Sequence, residues 1–111
     1  MVDKLLGLQN QLRMLHWGTN SYAEHKALGK AYEGLDDLID TFVETWMGIH
    51  GKDLGAPKLT LNPYKPGAAI VLLDQAIQFL TGELDSAIGG NTDLGNIRDD
   101  MLGWYTTLNT C

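Results

Sequence analysis

Residues 21–49, SYAEHKALGKAYEGLDDLIDTFVETWMGI, decide the fold. Leu28, Tyr32, Leu35, Ile39, Phe42, Trp46 and Ile49 recur in steps of four and three. That spacing gathers apolar side chains on one face of an α-helix. Ser21 followed by Glu24 has the Ser-x-x-Glu form of a capping box, so a helix is expected over 22–49. Gly48, Gly51 and Gly55 bring it to a close. A helix this long with one apolar stripe must bury that stripe against other helices.

Upstream, Leu5, Leu8, Leu12 and Leu15 mark a first helix over about 2–17, broken by Gly18-Thr19-Asn20. Downstream, residues 51–65 hold Pro57 and Pro63 and read as a loop lying over the surface. Pro66 suits the first turn of a third helix, expected over 66–88. Its stripe is Ile70, Leu73, Ile77, Leu80, Leu84 and Ile88, and Gly89-Gly90 closes it. Asn91 or Thr92 can cap a fourth helix over 92–110, carrying Leu94, Ile97, Met101, Trp104 and Leu108. Short links join the first helix to the second and the third to the fourth, while a longer one joins the second to the third. Two αα-hairpins with one crossover give an all-α four-helix bundle, a single domain over 1–111.

The bulk numbers narrow the function. Apolar residues are 44% of 111, enough for one packed core. No apolar run approaches the roughly 20 residues a membrane helix needs. Residues 1–20 carry Asp3, Lys4, Arg13 and His16 among the leucines, unlike a secretory signal, and a cytoplasmic setting is expected. The one cysteine, Cys111, allows no internal disulfide. A net charge of −6 with scattered lysines and arginines argues against direct binding to nucleic acid.

One constellation carries chemistry. With His25 at zero and 100° per residue, Asp36, Asp40 and Glu44 lie at about 20°, 60° and 100° on the second helix, edging its apolar stripe. His16 edges the stripe of the first. His25 and Asp40 stand roughly 22 Å apart along the axis, too far to hold one metal in one chain. They can meet if two copies of the helix pack antiparallel about a dyad near residue 33 or 34, with Gly34 at the crossing. Imidazole with carboxylate suits iron, and also zinc or manganese.

The stretch LHWGTNSYAEHKALGKAYEGLDDLIDTFVE, from Leu15 to Glu44, resembles the helix A–helix B region of Dps-like mini-ferritins. His16-Trp17, His25, Asp40 fifteen residues later and Glu44 four beyond carry the likeness. Short ferritin-like proteins of phages and large viruses are similar more loosely. The resemblance implies a ferritin-like bundle and a homodimer, within a larger cage if one forms. It also implies a ferroxidase site in which His16 and His25 of one chain and Asp40 and Glu44 of the other hold iron. Asp36 is a further candidate ligand, and Trp17 would relay electrons or shield radicals. The implied function is storage and detoxification of iron with protection against oxidants. Gly29 stands where the family has an Asp, the link before His25 is shorter, and the basic tail is missing. A non-catalytic helical assembly protein with a degenerate metal site is the alternative.

Taken singly, these residues have plainer roles. His25 is an ordinary polar residue near a helix start, Glu24 a capping residue, and Glu33, Asp36 and Asp37 solvated charges. Trp17 is as well placed to be a wedge in the bundle. Tyr32, Trp46 and Trp104 are expected in the core, His50 in solvent, and Asp99 and Asp100 in a surface ion pair with Arg98.

Overall fold

The computed structural model describes residues 1–110, and Cys111 lies outside the described residues. Five α-helices form, with no strand among the described residues: α1 (Val2–Gly18), α2 (Tyr22–His50), α3 (Ala68–Thr81), α4 (Glu83–Ile88) and α5 (Thr92–Thr106). A 3-10 turn over Thr107–Thr110 follows. The first two match the expected bounds to within one residue at their C-terminal ends. At the start of α2, Ser21 Oγ accepts from the Glu24 N–H at 3.2 Å. The Glu24 carboxylate does not return the bond, and its Oε1 is buried without a partner among the described residues. The capping box is therefore half made.

The third helix differs from expectation. Pro66 stays outside it, and the helix begins at Ala68 after Gly67, whose φ of 83° a side chain would resist. Gly82 then divides the expected 66–88 segment into α3 and α4, with φ −109° and ψ −92°. A Cβ there would stand 2.7 Å from the Gln78 carbonyl oxygen, so the bend needs glycine. Arg98 of α5 ties the bend together. Its Nη1 donates to Leu80 O at 3.0 Å and to Asp85 at 2.9 Å, and its Nε donates to Asp99 at 2.8 Å. The buried face is also rotated. Ala69, Leu72, Leu73, Ala76, Phe79 and Leu80 go inside, while Ile70 is exposed. Ile49, expected in the stripe of α2, is exposed as well, because the last turn of α2 reaches the end of the bundle beside Gly89 and Gly90. The helix expected over 92–110 is α5, capped by Asn91, whose Oδ1 accepts from the Leu94 N–H at 3.0 Å, and its α-helical part stops at Thr106 rather than 110.

Neighbours fix the topology. α1 packs on α2 and α3, and α5 packs on the same two, closing a ring in the order α1, α2, α5, α3. The segment after α2 starts beside Met1–Asp3 and climbs along α1. Leu59 lies over Gly7, Asn62 exchanges two 2.8 Å bonds with the Gln11 amide, and Tyr64 covers Gly18. The chain then descends through α3 until Glu83 pairs with Lys4. α5 returns upward, with Trp104 against Gly34. Every adjacent pair is thus antiparallel, and one long crossover spans the bundle. α2 sets its length: 29 residues at 1.5 Å are about 43 Å, against a long axis of 42 Å. No described helix is long and apolar enough to cross a membrane.

Candidate metal centre

The turn between α1 and α2 brings two of the candidate ligands together. The imidazoles of His16 and His25 stack with centroids 3.9 Å apart and planes inclined by 16°. Each ring bonds the backbone of the other residue: His16 Nδ1 to His25 O at 2.7 Å, and His25 Nδ1 to His16 O at 2.7 Å. A carbonyl oxygen can only accept, so both Nδ1 atoms carry hydrogen. A neutral ring then has its lone pair on Nε2. A Nδ1–H donated to a backbone carbonyl is the support that fixes the tautomer and orientation of metal-binding histidines.

Gly29 makes room for this pair. A Cβ at that position would lie 2.8 Å from His16 Cε1 and 3.1 Å from its Nδ1. The imidazole of α1 therefore rests on the bare surface of α2. Gly29, which in the sequence reads as a lost carboxylate, is the seat of the His16 ring.

Asp36, Asp40 and Glu44 lie elsewhere on α2. All three are exposed, and none has a hydrogen bond or ion pair among the described residues. They stay apart from the imidazole pair, and among the described residues no three of His, Cys, Asp or Glu gather at one point. The chain by itself thus presents two nitrogens at one end of α2 and an array of carboxylates toward the other.

Gly34 does not serve the crossing expected of it. A Cβ there would fall 2.2 Å from Trp104 Cε2, so its absence admits the indole of α5 within the same chain. Trp17 is no wedge either, being 67% exposed. Arg13 lies 5.6 Å from the Trp17 ring and 4.3 Å from that of Tyr32. Sequence reading missed this arginine, although its place one turn before Trp17 was a signal for it. Tyr32, Trp46 and Trp104 pack half-buried against the core, and exposed His50 leans on Trp46 at 4.0 Å.

Residues 16–109 match the family of unknown function DUF5856. The chain belongs to that family. A DUF5856 chain is here also similar to the uncharacterised 14.6 kDa protein of the mobD-ri intergenic region in Enterobacteria phage T4. The two are 33% identical over 79 residues, 68% of this chain and 61% of that relative. The chain therefore spans less than two thirds of the phage protein. A phage relative is consistent with the likeness to short phage proteins. No solved structure matches this DUF5856 chain.

Proposed function

We propose that this chain is a mini-ferritin-like protein that takes Fe(II) as substrate between two of its copies and oxidises it. His16 and His25 of one chain and Asp40 and Glu44 of the other would hold the ion, with Asp36 within one turn of Asp40. The observation that carries the reading is the imidazole pair. Both Nδ1–H groups are committed to carbonyls, which leaves two Nε2 lone pairs near the N-terminal end of α2, while unpaired carboxylates lie further along the same helix, within reach only of a second copy. Nitrogen with carboxylate oxygen suits iron, and Zn(II) or Mn(II) would compete for it. Each ferrous ion gives up one electron, and peroxide or dioxygen takes it; the carboxylates then favour the ferric product. Trp17, exposed one residue from His16, would intercept stray radicals. The single long crossover in an otherwise antiparallel ring supports a ferritin-like identity, since bundles of that class have one such connection. A cytoplasmic setting, where ferrous iron is supplied, goes with this reading.

A second reading has an observation of its own. The His16–His25 clasp is complete without a metal, and Gly29 offers no ligand. A helical assembly protein could keep the clasp to lock α1 onto α2. Anaerobic Fe(II) titration separates the two. The iron reading expects at least about one ion bound per chain, with binding lost in His16→Ala and His25→Ala. No binding in the intact chain overturns it in favour of the assembly protein.

A further inference from the structure

We propose that the exposed face of α2 is a self-recognition surface, read by charge, on which a second copy docks antiparallel. The proposal shares its dimer with the iron reading but does not depend on iron.

The face is segregated along its length. On the helical wheel, Lys26 and Lys30 fall at about 100° and 140°, and Asp36, Asp37, Asp40 and Glu44 at about 20–120°. All six are exposed, and none forms an ion pair among the described residues. The N-terminal half of the face is basic and the C-terminal half acidic. Arg13 extends the basic half from α1: its guanidinium lies over Tyr32 and Trp17 and meets no carboxylate among the described residues. A guanidinium resting over aromatic rings can still offer its N–H groups to a carboxylate. Within one chain the halves are kept apart, because Lys26 and Asp40 are 14 residues or about 21 Å apart along a rigid helix.

A second copy turned about a dyad near residue 33 removes the mismatch. Lys26 then faces Asp40 and Lys30 faces Asp36 and Asp37, each contact occurring twice. Glu33 lies at the crossing and meets its own counterpart, with Lys30 three residues away supplying the neutralising charge. A parallel arrangement sets acid against acid and lysine against lysine. Charge pattern therefore selects both the partner and its direction, as complementary potentials do at interfaces generally. Gly34 plays no part, since it faces Trp104.

The test is charge exchange in metal-free buffer with chelator, using the full chain and sedimentation equilibrium. Lys26→Glu with Lys30→Glu makes the whole face acidic; Asp37→Lys with Asp40→Lys makes it predominantly basic. Each variant alone should dimerise at least about tenfold more weakly than wild type, and an equimolar mixture should recover wild-type affinity. Raising salt to about 0.5 M should shrink all these differences. Circular dichroism of each variant confirms that the helices persist, and the recovery itself excludes misfolding. Unchanged dimerisation in both variants, a mixture no stronger than its parents, or a wild type that stays monomeric overturns the proposal. A charge-selected wild-type dimer that binds no iron would leave it standing and remove the iron reading. Iron oxidation by a wild-type dimer, with dimerisation unaltered in both exchange variants, would do the reverse.

Discussion

Gly29 shows how one residue can be legible in kind and opaque in cause. Its departure from the mini-ferritin pattern is visible in the sequence, where it reads only as a lost carboxylate. The reason lies in the His16 ring, which occupies the space a Cβ would need. His16 and His25 could be singled out by spacing, but their mutual bonds depend on the turn through Thr19 and Asn20, which no periodicity describes. Gly29→Asp should not restore a ligand set. It should displace His16 and cost about 1–3 kcal/mol, as overpacking does. Thermal unfolding and the His16 imidazole resonances would check both. Tyr105 gives a second prediction at this scale. It is 2% exposed, and burial pushes its phenol above the ordinary value of 10.0. The folded state then holds a proton that the unfolded chain releases first. Stability is intact below pH 10 and falls above it, by up to about 1.4 kcal/mol per pH unit. Tyr105→Phe should flatten that decline in urea unfolding measured between pH 9 and 11.

Among the elements, α2 was readable because its apolar residues keep one spacing for many turns and its cap is explicit. Of the stripe expected for the third helix, Leu73, Leu80, Leu84 and Ile88 are buried and Ile77 is half-buried, and Ile70 alone turns outward. Residues 68–73, AAIVLL, are apolar all round and point to no face, and both Ile70-Leu73-Ile77 and Leu72-Ala76-Phe79 fit a helical stripe. The buried face keeps Leu73 and Leu80 but turns toward Ala69, Leu72, Ala76 and Phe79, which leaves Ile70 exposed. The bend at Gly82 was equally hidden, since a lone glycine in a helix is usually tolerated. Glycines in helices separate two outcomes here. Gly103 of α5 has open space around its position, whereas Gly34 is covered by the Trp104 indole. Gly103→Ala should stabilise by about 1 kcal/mol through helix propensity. Gly34→Ala gains the same propensity but drives a Cβ into a rigid ring, so it should be net destabilising by about 1–3 kcal/mol. Chemical denaturation of the pair would show opposite signs if the packing of α5 on α2 is right.

At the scale of the whole molecule, link lengths in the sequence anticipated two hairpins and a crossover. They did not say how the crossover is held. The Gln11 amide accomplishes that by acting as a backbone mimic for Asn62, giving and receiving one hydrogen bond. The site is legible in the same partial way. Sequence supplied the five polar residues and the axial distance that forbids their meeting in one chain. The structure brings two of them together and leaves three on an outward face. What completes the arrangement under the iron reading is a second chain, and one measurement addresses that directly. His25→Ala and Asp40→Ala are prepared separately, then refolded as an equimolar mixture, and Fe(II) oxidation is followed in each. Both parents should be inactive. In a mixed dimer the two lesions fall on one dyad-related site, leaving the other intact. Random pairing then predicts recovery of about a quarter of wild-type activity. A mixture as inactive as its parents, beside an active wild type, would contradict a site shared between chains.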